Sequence, residues 1–226
     1  LSILISYIPD QEHKENGNDD IKEIFVGFKE NFTNIKLRIS LLFTIVVNIA
    51  MLGFNATIIY YLQDQLKLSN SLVGIVYSIA GFGSLIAVTF LSTFLNKKDT
   101  FILMNISMAT IPLVIMASGI VENWIFFGIC YSILSGLITI ASVSITTIQQ
   151  QESTEYNIGK ILSSSFVIAT IFAPFGGILA AYFNWLLNPR LSLVILGLLS
   201  SLLVILIKSY EKKLTKKRTA IFIKED

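Results

Sequence analysis

Charge is what this sequence has least of. Only 14% of its 226 residues are Asp, Glu, Lys or Arg, against about 25% in a soluble domain. The charges gather at 10–38, 97–99, 152–160 and 208–226 and leave long uncharged runs between them. A water-soluble domain needs polar groups all round its surface, so this distribution excludes one and requires a chain solvated by lipid. Cysteine occurs once, at Cys130 in an apolar run. An internal disulfide is excluded, and the thiol reads as a small buried hydrophobe. Histidine also occurs once, at His13 in a polar stretch. That excludes a Ser–His–Asp triad among the apolar segments and a His/Cys/carboxylate metal cluster. A Gly-Lys-Ser/Thr phosphate loop is absent too. The expectation is a protein without metal or cofactor and without enzyme chemistry. The net charge of +2 resides in loops and a tail and implies no nucleic-acid partner.

In place of charge there are long apolar runs, for 54% of the residues are hydrophobic. Six are long enough to span a bilayer: 39–62, 72–95, 101–121, 123–147, 160–183 and 190–208. None carries a charge in its central part, where one would cost about 2.5–3.5 kcal/mol. A backbone in hydrocarbon must satisfy its own hydrogen bonds, so each span is a helix, and the fold class is an all-α bundle of six transmembrane helices. If 10–38 is cytoplasmic, so are 96–100, 148–159 and the tail 209–226. All Lys and Arg then lie inside except Lys67 and Arg190, a strong positive-inside bias. Trp124 and Trp185 fall at outer helix ends, where an aromatic belt belongs. Residues 1–9 begin with LSILISYI, too short to cross, and read as the end of a transmembrane helix that starts before the sequence given.

Within 10–38, residues 20–36 (DIKEIFVGFKENFTNIK) place Ile21, Ile24, Phe25, Phe28, Phe32 and Ile35 at three- and four-residue steps. This predicts an amphipathic helix on the inner membrane surface, with packing on the bundle as the plainer alternative. The tail is basic and suits anchoring at anionic lipid.

An unfinished helix, a charged loop, six spans and a cytoplasmic tail together resemble the C-terminal half of a major facilitator superfamily transporter. Local sequence sharpens the resemblance toward the branch of macrolide-efflux and enterobactin-exporter-like proteins. Residues 66–87 (LKLSNSLVGIVYSIAGFGSLIA) look like the entry to that branch's eighth helix, with Gly74, Gly81 and Gly83 in place. Residues 155–161 (EYNIGKI) resemble its Glu-x-x-Arg-Gly-Arg-Val turn through Glu155, Gly159, Lys160 and Ile161, and depart from it at Ile158. Residues 173–177 (APFGG) resemble its Pro-Gly step, with Pro174, Gly176 and Gly177. A proline often found near Ile58 or Ile59 is missing.

The resemblance implies a twelve-helix fold whose N-terminal six-helix half is this chain's partner, together with the lipid bilayer and a small-molecule cargo in the cell membrane. It implies that the first and fourth spans line a cavity. Asn48 and Asn55 share a face of the first, being seven residues apart, and Tyr131, Ser135 and Ser142 fall near one stripe of the fourth. These are the candidate cargo contacts, with hydrogen bonding within or between helices as the alternative. The glycines would permit close helix approach, and Pro174 with Gly176 and Gly177 would kink the fifth span. Asp64 and Glu122 lie at outer edges, so any proton-coupling carboxylate is expected in the other half. The leading expectation is proton-coupled efflux of an amphipathic molecule, macrolide- or siderophore-like. Nutrient import on the same scaffold and a non-transporting membrane scaffold or embedded enzyme are the competing classes. High use of Ile, Lys and Asn fits an AT-rich bacterial gene.

Overall fold

The computed structural model describes residues 26–94 and 100–225. Residues 1–9, His13 and the first part of the 20–36 pattern lie outside the described residues. All six expected helices are present, and no strand occurs among the described residues. They are α1 (Ile35–Tyr60), extended by a π-helical turn (Tyr61–Gln65), α2 (Asn70–Phe94), α3 (Thr100–Ile120), α4 (Trp124–Gln151), α5 (Ile158–Leu186) and α6 (Pro189–Glu225). A short helical segment, 26–33, precedes α1. The shortest of the six, α3, has 21 residues, or roughly 31 Å of helix, the thickness of a bilayer's hydrocarbon. Each of the six is long and apolar enough to cross a membrane.

Asparagine starts three of these helices. The Asn34, Asn123 and Asn188 side chains accept from the backbone N–H of Lys36, Ile125 and Leu191 at 2.9, 2.8 and 2.9 Å, satisfying donors a helix start leaves unpaired. Pro189 at the first position of α6 gives up no hydrogen bond there. The largest departure from the expected bounds is at α6, which continues through the basic tail to Glu225. No Gly or Pro stands in 198–226 to stop it, and Glu, Lys and Leu favour a helix.

The helices interleave. α2 packs chiefly on α4, α5 on α1, and α3 on both α4 and α6, whereas α1 and α2, or α2 and α3, barely meet. The main contacts map onto themselves when α1–α3 is exchanged with α4–α6, although α5 meets α6 more than α2 meets α3. Three crossings are an odd number, so the second triplet enters from the side opposite to the first, and the two form an inverted repeat. One pair of contacts shows the match in detail. A Cβ on Gly83 of α2 would collide with the Ser132 carbonyl of α4, and one on Gly176 of α5 would collide with the Ile49 carbonyl of α1. Four residues after each struck carbonyl stands another glycine, Gly136 or Gly53. A Cβ there would sit 3.0 Å from the carbonyl oxygen of Gly83 or Gly176 respectively. Each parallel pair therefore closes through two glycines facing backbone. α2 and α5 are also the two least buried helices, to the same degree.

The ends are tied by polar contacts. At the end here called upper, the Tyr61 hydroxyl donates to the Val121 carbonyl. There Arg190 pairs with Glu122 at 2.9 Å and donates to the Ile120 carbonyl at 3.2 Å. At the lower end Lys36 pairs with Glu152 at 2.5 Å.

Candidate functional site

A cavity of about 330 Å³ lies in the lower half, between α1, α4 and α5. Its polar groups arise from helical spacing. Thr44 and Asn48 are one turn apart on α1, and Ser142, Thr146 and Gln149 follow one stripe of α4. Ser165 and Phe166 come from α5, and Val47, Ile145 and Leu162 supply apolar wall. Its lining among the described residues includes no Lys, Arg, His, Asp or Glu. The polar groups are partly committed. Asn48 donates through Nδ2 to the Thr44 carbonyl at 2.9 Å and Thr44 Oγ1 to the Ser40 carbonyl at 2.8 Å. Ser142 and Thr146 are exposed to the cavity side, and the Asn48 Oδ1 keeps its lone pairs. The chamber thus offers a neutral guest both donors and acceptors between apolar walls.

The 26–33 segment reaches the wall of this cavity through Asn31, which bonds to Ser165. Asn31 is fully buried. It donates from Nδ2 to the Ile161 carbonyl at 3.1 Å and to Ser164 Oγ at 2.8 Å, and its Oδ1 accepts from Ser165 Oγ at 3.0 Å. Ser165 in turn accepts from Gln149 Nε2 at 3.1 Å. A Cβ on Gly27 would collide with the Lys160 carbonyl, so the segment lies hard against the start of α5. Two further bonds hold its flanks: Asn157 Nδ2 to Glu30 Oε1 at 2.6 Å, and Asn34 Nδ2 to Glu152 Oε2 at 3.2 Å. Burial pushes the Glu152 carboxyl up, but the hydrogen bonds from Lys36 and Asn34 outweigh it and hold the group below its ordinary value. The described part of the expected amphipathic helix therefore packs on the bundle, while Val26 and Phe32 stay exposed. Asn31 is invisible as a site residue in the sequence because its partners on α5 lie 130 to 134 positions away.

The expected cargo contacts divide. Asn48 and Ser142 share the cavity. Asn55, on the same side of α1, is half-buried and outside it. Ser135 instead bridges α4 to α2 by a 2.7 Å hydrogen bond with Ser84. Tyr131 belongs to an aromatic stack in the upper half, with ring centroids 5.2 Å from Phe54 and 5.6 Å from Tyr77. The expected packing residues divide likewise. Gly83 and Gly176 close helix contacts, whereas Gly74, Gly81 and Gly159 face open space and Gly177 makes ordinary contact with Leu52. Gly81 and Gly83 lie about 200° apart on a helix, so only Gly83 can face α4. Pro174 stands exposed in α5, which is helical from end to end. Lys160 lies over the Tyr156 ring, 4.0 Å from its centroid. Gly53 and Gly136 escaped notice because each is a lone glycine without a motif.

A second cavity, about 470 Å³, opens at the upper end between Ala56, Tyr60, Asp64, Asn184, Trp185 and Pro189. It takes in the π-helical turn through Asp64.

Fold and cavities together define a multi-pass helical membrane protein with a neutral, largely apolar chamber between its helices that carries several polar groups. No family model, curated protein or solved structure matches the chain.

Proposed function

We propose that this chain is one six-helix half of a secondary transporter of the major facilitator type, exporting a small, uncharged, amphipathic molecule by alternating access. The observation that carries the reading is the inverted repeat with a neutral chamber between its first helices, α1 and α4. Inverted repeats with a binding site near their junction are how such transporters present one site alternately to two sides. The lower end is cytoplasmic, following the Lys and Arg bias. The second six-helix half covers the exposed faces of α2 and α5 and holds the proton-coupling carboxylate. The uncharged lining fits a cargo without ionised groups, because a buried unpaired charge would be costly there.

The test uses the full-length protein in cells and, as probe, a radiolabelled macrolide lactone without an amino sugar, which is uncharged. Expression lowers accumulation, and an uncoupler abolishes the difference. Asn48→Leu and Ser142→Leu each raise the half-saturating concentration by about tenfold, the cost of one lost polar contact. Accumulation that is the same with and without the protein, for the macrolide and for a neutral siderophore, overturns the reading.

A further inference from the structure

The upper cavity differs from the lower one by a charge. It lies between α1 and α5, above the level where Gly53 and Gly176 bring these two helices into contact. Each helix contributes a small residue first and larger ones beyond it. On α1 the four-residue steps are Ala56, Tyr60 and Asp64, and on α5 Ala181 is followed by Asn184 and Trp185. The volume of about 470 Å³ suits a small molecule. Asp64 stands on the π-helical turn, which closes with the Leu66 N–H bonded to the Tyr61 carbonyl at 3.1 Å. Tyr61 and Leu62 are fully buried there, while Asp64 is exposed. Such turns are rare and occur often at functional sites.

Asp64 brings the one formal charge among the lining residues, and that charge is unanswered. It makes no hydrogen bond or ion pair among the described residues. Arg190, next to the lining Pro189, is committed to Glu122 and to the Gly119 and Ile120 carbonyls. Lys67 follows Asp64 on the chain, at a left-handed backbone (φ 53°), and does not line the cavity. Asn184 is the second polar group. It donates from Nδ2 to Thr57 Oγ1 at 3.3 Å, and its Oδ1 is buried without a hydrogen-bond partner among the described residues. A carboxylate and a spare amide oxygen both call for a donor. The aromatic rings of Tyr60 and Trp185 add faces that attract a cation.

We propose that the upper cavity binds a free organic ammonium ion with an apolar body, its nitrogen at Asp64 and its body among Ala56, Tyr60, Ala181 and Trp185. A metal ion is the wrong guest. A hard divalent cation collects six or more oxygens, and no group of three or more His, Cys, Asp or Glu side chains is placed to hold one among the described residues. A zwitterionic lipid headgroup is the wrong guest too, because no Lys or Arg lines the cavity to take its phosphate. Since Asp64 and Trp185 are exposed, the ammonium keeps part of its water and avoids the cost of a fully buried ion pair. The two cavities share no lining residue. The site does not rest on the transport reading, because binding here needs no passage across the membrane.

The experiment is equilibrium dialysis of radiolabelled phenethylammonium against the purified full-length protein in maltoside micelles. The parent protein retains the probe, and 2-phenylethanol, the same body without the charge, does not displace it. Asp64→Asn weakens binding about tenfold, the loss of one charge-assisted hydrogen bond. Trp185→Ala weakens it about threefold, the loss of an exposed cation–π contact, and Trp185→Phe recovers part of that. Ala181→Leu keeps the charge but fills the cavity from α5, and it also weakens binding. All three side chains are exposed, so the variants leave the packed interior intact. Binding by Asp64→Asn or by Ala181→Leu that equals the parent's overturns the site, as does displacement by 2-phenylethanol. Micelles doped with phosphatidylethanolamine bind the probe as tightly as micelles doped with diacylglycerol. Weaker binding with the aminolipid alone would give the cavity to a headgroup and overturn the free ion. Macrolide export reads the lower cavity and dialysis the upper one, so either can fail without the other.

Discussion

Two glycines that sit two positions apart make opposite predictions. Gly83 faces the Ser132 carbonyl, whereas a Cβ on Gly81 meets nothing within 4 Å. Gly83→Ala, and its repeat partner Gly176→Ala, force parallel helices apart and are expected to destabilise the detergent-solubilised protein by about 1–3 kcal/mol, the usual cost of overpacking. Gly81→Ala and Gly74→Ala are expected to be neutral or to stabilise by about 0.5–1 kcal/mol, the helix preference of Ala over Gly. Thermal unfolding of the four variants separates the two outcomes. Glu152 gives a pH prediction at the same scale. Its folded-state pKa lies below the ordinary 4.5, so its contribution is present above that value and fades as pH falls through the lower one. Hydrogen-exchange protection across 26–33, taken relative to the intrinsic exchange rate at each pH, should therefore fall on acidification below about pH 4.5, and Glu152→Gln should remove that dependence. Protection that stays flat with pH in the parent protein would refute the hold of Glu152 on the segment.

The helices were the most legible part of the sequence, and their partners the least. Long uncharged runs bounded by charge locate a span whatever surrounds it, so α1 to α5 fell within a few residues of expectation. The helix of α6 runs on through the basic tail because a run of Lys and Glu reads equally as tail or helix, and only a stop signal, absent here, would end it. Which side of α2 packs, and on what, is set by residues 50 positions on. Hydropathy carries no trace of that in lipid, where inward and outward faces are equally apolar. The candidate site shows the same limit. Asn48 and Ser142 were readable as polar groups in apolar spans, but so were Asn55, Tyr131 and Ser135, and only the tertiary arrangement separates cavity from contact. The interleaving itself has a consequence for the elements. Helices within α1–α3 barely touch, since their partners are in the other triplet. A chain cut in the turn at 121–123 should yield two pieces that are each degraded when expressed alone and that accumulate together when co-expressed. Stable accumulation of either piece by itself would contradict the packing described.

For the whole molecule, the central claim is inversion: two three-helix units, built alike, that enter the membrane from opposite sides and leave a neutral chamber where their first helices meet. A transporter needs this symmetry because exchanging the conformations of the two units exchanges which side the chamber opens to. The residues just before the two units, Thr33 ahead of α1 and Glu122 ahead of α4, are both exposed and mark the entry points. The direct measurement is labelling of single cysteines at these two positions, in the Cys130→Ala background, with a membrane-impermeant maleimide on intact cells and again after permeabilisation. Glu122→Cys is expected to react from outside and Thr33→Cys only once the cells are opened. Reaction of both from the same face would contradict the inverted repeat, and with it the reading of the chain as half of a transporter.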